Sequence, residues 1–144
     1  MTGGRSLRIL VVDDEPDFVA YVKAVLEQAG HSVTTAFDGD EALAAVRTAP
    51  PDLVTLDIQM PRKTGVLFYR QMKSDEALRK IPVIVMSGLR RMNEYAGPFI
   101  ECFFRAERPR VASPEKYLDK PVDKASLLEA VNECLGRVGA LVPA

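Results

Sequence analysis

The residues best placed to do chemistry in this sequence are acids, a serine and a lysine that each follow a short apolar segment. Asp57 comes directly after the buried-strand pattern Leu53-Val54-Thr55-Leu56, and Pro61 prevents the segment from continuing as a strand. An ionised aspartate at the end of a buried strand must be paired, metal-bound or exposed, because burying an isolated charge is costly. Taken alone, Asp57 could simply cap the following turn, so its role depends on the rest of the chain.

Other apolar segments end in polar residues in the same way. Asp13 and Asp14 follow the first such segment, Ser87 follows the fourth and Lys120 follows the fifth. The carboxyl ends of parallel strands meet at one edge of a sheet, so we expect these side chains to converge there with Asp57. Three carboxylates in one crevice repel one another. A magnesium ion, which prefers carboxylates, waters and phosphate oxygens, would relieve this repulsion.

This combination of side chains predicts phosphoryl transfer. Aspartate can act as a nucleophile and form an acyl phosphate, and Asp57 is expected between the metal and Lys120. The ammonium of Lys120 and the hydroxyl of Ser87 could hold the oxygens of an incoming phosphoryl group. The alternatives are simpler: Asp13 and Asp14 could cap the first helix, Ser87 could belong to a turn, and Lys120 could be a solvated lysine.

Strand and helix patterns alternate five times along the chain, which predicts a parallel sheet covered by helices on both faces. The first helix is expected to have Pro16 in its first turn and to end at Gly30. Asp38 and Asp123 are expected to cap later helices, and the last helix is expected to stop near Gly136. The strands are predicted at 7–12, 31–36, 53–56, 81–86 and 117–119.

The composition describes an ordinary globular chain. Its 144 residues suit one domain, and it is 47% hydrophobic and 27% charged. A net charge of −1 gives no basic surface for direct nucleic-acid binding.

Cys102 and Cys134 have no metal-ligand spacing and are expected to be reduced, which favours a cytoplasmic location. No apolar segment is long enough for a signal peptide or a membrane span, and His31 is expected to be structural.

Taken together, these motifs resemble the receiver domain of two-component response regulators, of the kind found in chemotaxis response regulators. The resemblance extends from about Leu7 to Leu135. It implies a flavodoxin-like, doubly wound α/β fold with a five-stranded parallel sheet in the order 2-1-3-4-5 and helices on both faces. The receiver domain is expected over residues 7–136, between tails at 1–6 and 137–144. The matching motifs are Asp13-Asp14, Asp57-Ile58-Gln59-Met60-Pro61, Ser87-Gly88 and Tyr117-Leu118-Asp119-Lys120-Pro121.

The resemblance implies that Asp57 is the phosphoacceptor and that Mg²⁺ is the cofactor. Asp14 and Asp57 would ligate the ion directly, Asp13 would act mostly through water, and the backbone carbonyl of Gln59 would complete the protein ligands. Lys120 would contact the phosphoryl group and precede a cis peptide bond to proline.

The family also implies how the signal would be passed on. Ser87 would move toward the phosphoryl oxygens, and Tyr117 would turn inward as a switch. The donor would be a phosphohistidine on a histidine kinase or a phosphotransfer protein, and the recipient a downstream protein target. Such a protein is a signalling phosphoacceptor and not an enzyme, since it assists only its own phosphorylation and dephosphorylation. It could stand alone or be one domain of a longer chain.

Three rival functions share some of these features. A phosphatase of the haloacid-dehalogenase type would need an acid two residues after the nucleophile, where this chain has Gln59. A nucleotide-binding or flavin-binding domain would need glycines at the first strand–helix turn, where backbone amides can bind phosphate. This chain has Asp13-Asp14-Glu15 there, which would repel phosphate. A degenerate receiver that binds partners without phosphorylation is the third rival, although every chemical residue is present.

The chain departs from the family pattern between its fourth and fifth strands. An insertion is expected at about 89–115, and it carries an apolar stripe at helical spacing. The stripe could pack on the sheet in place of the usual fourth helix. It could instead form a partner or homodimer surface that phosphorylation controls. The residues of the stripe are Phe99, Ile100, Phe103 and Phe104.

Overall fold

The computed structural model describes residues 6–58, 64–87 and 114–141. Its strands are β1 (Arg8–Val12), β2 (Ser32–Ala36), β3 (Leu53–Asp57), β4 (Val83–Ser87) and β5 (Lys116–Asp119). The helices within the described ranges are α1 (Pro16–Gln28), α2 (Gly39–Thr48), α3 (Thr64–Ser74) and α4 (Lys124–Leu141). All neighbouring strands are parallel, and the sheet order is β2-β1-β3-β4-β5. The predicted flavodoxin-like topology is confirmed.

The central strands are buried and the edge strands are partly exposed. Every residue of β3 is buried, and in β1 only Arg8 is exposed. In β2 exposed and partly buried residues alternate up to the buried Ala36, and β5 has no fully buried residue. A parallel sheet with helices on both faces requires this gradient, because only its inner strands are covered on both sides.

Each face of the sheet carries its own apolar core. Side chains of successive strand residues point to opposite faces, so β1 contributes Leu10 and Val12 to one core and Ile9 and Val11 to the other. The α2–α3 core includes the helical residues Ala42, Val46, Phe68, Tyr69 and Met72. The α1–α4 core includes the helical residues Val19, Val22, Val25, Leu26, Leu127, Ala130, Val131 and Cys134.

The predicted start signals of the helices are confirmed. The Asp38 side chain accepts a hydrogen bond from the Glu41 N–H at 2.8 Å, and Asp123 accepts one from the Ser126 N–H at 2.6 Å. Pro16 lies in the first turn of α1. Gly30 follows that helix with a φ of 97°, a conformation that favours glycine.

The prediction that the last helix stops near Gly136 is wrong, because α4 continues to Leu141. Residues 137–141, expected to lie in a tail, therefore belong to this helix. A glycine in a helix interior costs only about 1 kcal/mol relative to alanine, and it does not remove a backbone donor as proline does. Pro143 is the first proline after the start of α4.

The connection between β4 and β5 is described only at its last residues. The insertion expected at 89–115, with its apolar stripe, lies outside the described residues except for Pro114 and Glu115. None of the helices in the described part of the chain is long and apolar enough to span a membrane.

A buried lysine joins α3 to the starts of β4 and β5. The ammonium of Lys73 donates to the carbonyl oxygens of Arg79 at 3.1 Å and Ile81 at 2.8 Å, and lies 3.5 Å from a Glu115 carboxylate oxygen. The same carboxylate accepts the Val83 N–H at 2.7 Å. Burial lowers the pKa of Lys73, and the charge of Glu115 and their hydrogen bond oppose that shift. This network fixes the point at which the chain enters β5.

We predict that Lys73→Ala destabilises the fold by about 2–3 kcal/mol, because it leaves two partly buried carbonyl groups and the Glu115 carboxylate without their donor. Urea unfolding followed by circular dichroism measures this loss. The matched control is Lys80→Ala, which removes an exposed lysine from the same connection and should change stability by less than about 0.5 kcal/mol. Equal stability of the two variants would contradict the structural role of Lys73.

Candidate functional site

The carboxyl-terminal edge of the sheet brings together strand ends that are far apart in the sequence. β1 and β3 pair in register up to their ends, so Asp13, which follows β1, lies beside Asp57, the last residue of β3. On β4 and β5, Ser87 pairs with Asp119, and Lys120 comes directly afterwards. The convergence expected from parallel strands is therefore observed in the backbone.

Three aspartates at this edge form an acidic cluster. One carboxylate oxygen each from Asp13, Asp14 and Asp57 lies within 4.8 Å of the other two. Asp13 is 1% exposed and Asp57 3%, whereas Asp14 is partly exposed. Burial and mutual repulsion both oppose three negative charges at this distance. An all-oxygen donor set of this size, open to solvent on the Asp14 side, fits a hard divalent cation that keeps several waters.

Lys120 is the cation that faces this cluster. Its ammonium lies 2.7 Å from Asp13 Oδ2, 2.8 Å from Glu15 Oε1 and 3.5 Å from Asp57 Oδ2. It also lies 4.3 Å from the centre of the Phe18 ring, within the range of a cation–π interaction. One ammonium thus contacts three carboxylates and an aromatic ring. Of the three carboxylates, that of Asp57 is the most distant from the ammonium.

The pKa values of Asp13 and Lys120 reflect this arrangement. Burial raises the pKa of the Asp13 carboxyl, and the hydrogen bonds from Lys120 and the Glu15 N–H only partly oppose the shift. Burial alone would lower the pKa of Lys120, but its hydrogen bonds to Asp13 and Glu15 and the charge of Asp57 raise it overall. Lys120 therefore remains protonated and can bind phosphoryl oxygens.

The structure describes the remaining predicted site residues to different extents. Ser87 ends β4, with its backbone paired to β5. Gln59 lies outside the described residues. Tyr117 on β5 is partly buried and packs against the α2–α3 core. The peptide bond between Lys120 and Pro121 is cis, as the resemblance implied.

Sequence reasoning missed two contacts of Lys120. The sequence predicts a role for Glu15 only within the acidic stretch Asp13-Asp14-Glu15, and it predicts no site role for Phe18. Both residues lie in or beside the first helical turn after Asp13 and Asp14. This closeness in sequence is the one feature that could have indicated a contact with Lys120. Which acids the lysine would contact depended on the angle at which α1 leaves the sheet, and that angle is not readable from spacing.

Comparison with known proteins agrees with this geometry. The family model for the response regulator receiver domain matches residues 9–132. Protein PilH of Pseudomonas aeruginosa is 34% identical over 128 residues, which cover 89% of this chain and 97% of that protein. The gliding motility regulatory protein of Myxococcus xanthus is 42% identical over 85 residues, 59% of this chain, but the match spans only 11% of that much longer protein.

A solved structure gives the same result. The crystal structure of the receiver domain of NtrX from Brucella abortus superposes with a TM-score of 0.72 at 32% identity, covering 89% of this chain and 98% of that one. Receiver domains of response regulators are phosphoacceptors that act with histidine kinases or phosphotransfer proteins, and their acidic pockets bind Mg²⁺. The match over most of the sequence, the topology and the acidic pocket lead to one conclusion: the chain belongs to the response regulator receiver domain family.

Proposed function

We propose that Asp57 of this chain accepts a phosphoryl group from a phosphohistidine on a histidine kinase or phosphotransfer protein. The observation that carries the proposal is the position of the Asp57 carboxylate. It lies at the end of a buried strand, next to Asp13 and Asp14, and 3.5 Å from Lys120. An Asp57 oxygen would attack phosphorus, forming an O–P bond as the N–P bond of the donor breaks and the histidine leaves.

The acidic cluster would hold the cofactor. Asp14 and Asp57 are proposed as direct ligands of Mg²⁺, Asp13 as a ligand through water, and the Gln59 carbonyl as the remaining protein ligand. When bound, this ion supplies positive charge to the phosphoryl oxygens. The Lys120 ammonium supplies a second positive charge from the side of β5.

The response to phosphorylation is proposed to begin at Lys120 and Ser87. A phosphoryl group adds about −1.5 to −2 charges at Asp57, and these two side chains carry the donors expected to respond. Tyr117 shares β5 with the residue before Lys120, so a shift of this strand end would reach the α2–α3 core. The outcome would be altered contact with a downstream protein or a second copy of the chain.

The proposed activity is that of a cytoplasmic signalling phosphoacceptor and not of an enzyme with a separate substrate. The chain would promote only the gain and loss of its own phosphoryl group. The expectation of two reduced cysteines supports a cytoplasmic location.

The test of the phosphoacceptor is labelling with acetyl phosphate and Mg²⁺ followed by intact mass spectrometry. We expect the mass to rise by one phosphate, and the adduct to be lost in base as an acyl phosphate is. Asp57→Asn should abolish the adduct. Asp119→Asn, which removes an exposed acid from the same edge of the sheet, should retain it. Labelling of Asp57→Asn at the parental level would refute the assignment.

The metal site is tested by thermal unfolding with and without Mg²⁺. Binding to the folded state should stabilise the parent by about 2.7 kcal/mol at a hundred times the Kd. Asp14→Asn should lose this response, because it removes a ligand from a site with few others. Asp17→Asn removes an exposed acid from the first turn of α1 and should respond like the parent. If millimolar Mg²⁺ left the melting temperature of the parent unchanged, the result would contradict the proposed metal site.

The division between chemistry and signalling is tested by Lys120→Ala and Ser87→Ala. Both variants should still take up phosphate but should lose the conformational response, measured as amide chemical-shift changes that extend to Tyr117. Lys124→Ala, an exposed lysine at the start of α4, is the control and should respond fully. Shift changes that reach Tyr117 undiminished in both variants would show that these side chains do not carry the response.

A further inference from the structure

Glu15 competes with Asp57 for Lys120. The Lys120 ammonium donates a hydrogen bond to Glu15 at 2.8 Å, whereas its distance to Asp57 is 3.5 Å. At 3.5 Å the approach to Asp57 is an ion pair with weak hydrogen-bond geometry. In this arrangement the lysine is drawn toward the first turn of α1, away from the carboxylate that the proposed phosphorylation would modify.

The backbone of Glu15 is fixed where this competition occurs. Its N–H donates to Asp13 Oδ1 at 2.9 Å, and its carbonyl accepts the Val19 N–H at 3.0 Å as α1 begins. Further along α1, the Tyr21 hydroxyl donates to the Val122 carbonyl at 2.9 Å, which holds α1 to the chain just beyond Lys120. The Glu15 side chain therefore contacts Lys120 from a defined position.

We propose that Glu15 is a positioning residue that retains the Lys120 ammonium beside α1 and so limits its availability to the phosphoryl group at Asp57. The proposal rests on the proposed function of Asp57. Glu15 acts through Lys120, which must leave Glu15 in order to approach the phosphoryl oxygens. The contact thus sets a rate of phosphorylation without itself touching the donor.

The exposure of the contact determines the size of the effect. The Glu15 side chain is 63% exposed and that of Lys120 is 12% exposed, so water replaces the contact readily when it breaks. Exposed ion pairs contribute little to stability, and the loss of this one should raise the phosphorylation rate by about two- to five-fold. The fold itself should be unaffected.

The experiment compares phosphorylation by acetyl phosphate in Mg²⁺ for the parent, three single variants, and Lys120→Ala with and without Glu15→Gln. Glu15→Gln removes the charge, and Glu15→Asp keeps the charge but is too short to maintain the contact. Asp17→Asn removes an equal charge from the same turn. We expect both Glu15 variants to react about two- to five-fold faster, Asp17→Asn to react like the parent, and Glu15→Gln to have no effect in a Lys120→Ala background.

A second readout observes Lys120 directly in the unphosphorylated protein. The NMR signals of its Cε and Nζ should shift in both Glu15 variants and remain in place in Asp17→Asn. A faster reaction in Glu15→Gln but not in Glu15→Asp would show a general charge effect and overturn the proposal, as would unmoved Lys120 signals. A parent that takes up no phosphate overturns the proposed function, whereas a phosphorylated parent with unchanged rates in the Glu15 variants overturns the role of Glu15 alone.

Discussion

Electrostatic repulsion among Asp13, Asp14 and Asp57 determines what else must be present at the carboxyl edge of the sheet. Two of these carboxylates are almost completely buried, and the Lys120 ammonium that contacts both of them is shared with Glu15. The negative charge of the cluster exceeds what one lysine can neutralise. A cation bound among these carboxylates would reduce their repulsion and so stabilise the folded state.

The opposite edge of the sheet contains a second buried charge, the ammonium of Lys73, which is held in a structural network. Lys73 has two backbone carbonyls and a carboxylate as acceptors, and Glu115 in turn accepts a backbone N–H from the start of β4. The Lys73 ammonium and the Glu115 carboxylate are both hydrogen-bonded, as is usual for buried polar atoms. The two edges therefore differ: Lys73 and Glu115 are held by hydrogen bonds, whereas the acidic cluster holds three like charges close together.

The parallel sheet with helices on both faces could be predicted because each strand is bounded by clear signals, whereas the strand order came from the family resemblance. Prolines, glycines and acids mark the ends of the apolar segments, and the parallel arrangement then places Asp13, Asp57 and Lys120 at one edge without further information. The end of α4 lies beyond the predicted stop at Gly136, because glycine weakens a helix without terminating it.

The contacts of Glu15 and Phe18 with Lys120 could not be predicted in the same way. They depend on the direction of α1 relative to β5, which tertiary packing sets and local sequence patterns do not encode. The roles of Tyr117 and Gln59 came only from the family resemblance, whereas that of Ser87 also followed from its position after a strand. All three stay predictions.

The position of β5 between the two apolar cores has a mechanical consequence. Tyr117 packs against the core on one face of the sheet and Leu118 against the core on the other, while Lys120 follows one residue after the strand. Packed interiors resist gradual deformation. A shift of Lys120 along the strand axis would therefore displace side chains that pack in both cores. This short edge strand thus couples the carboxyl edge of the sheet to both helical layers.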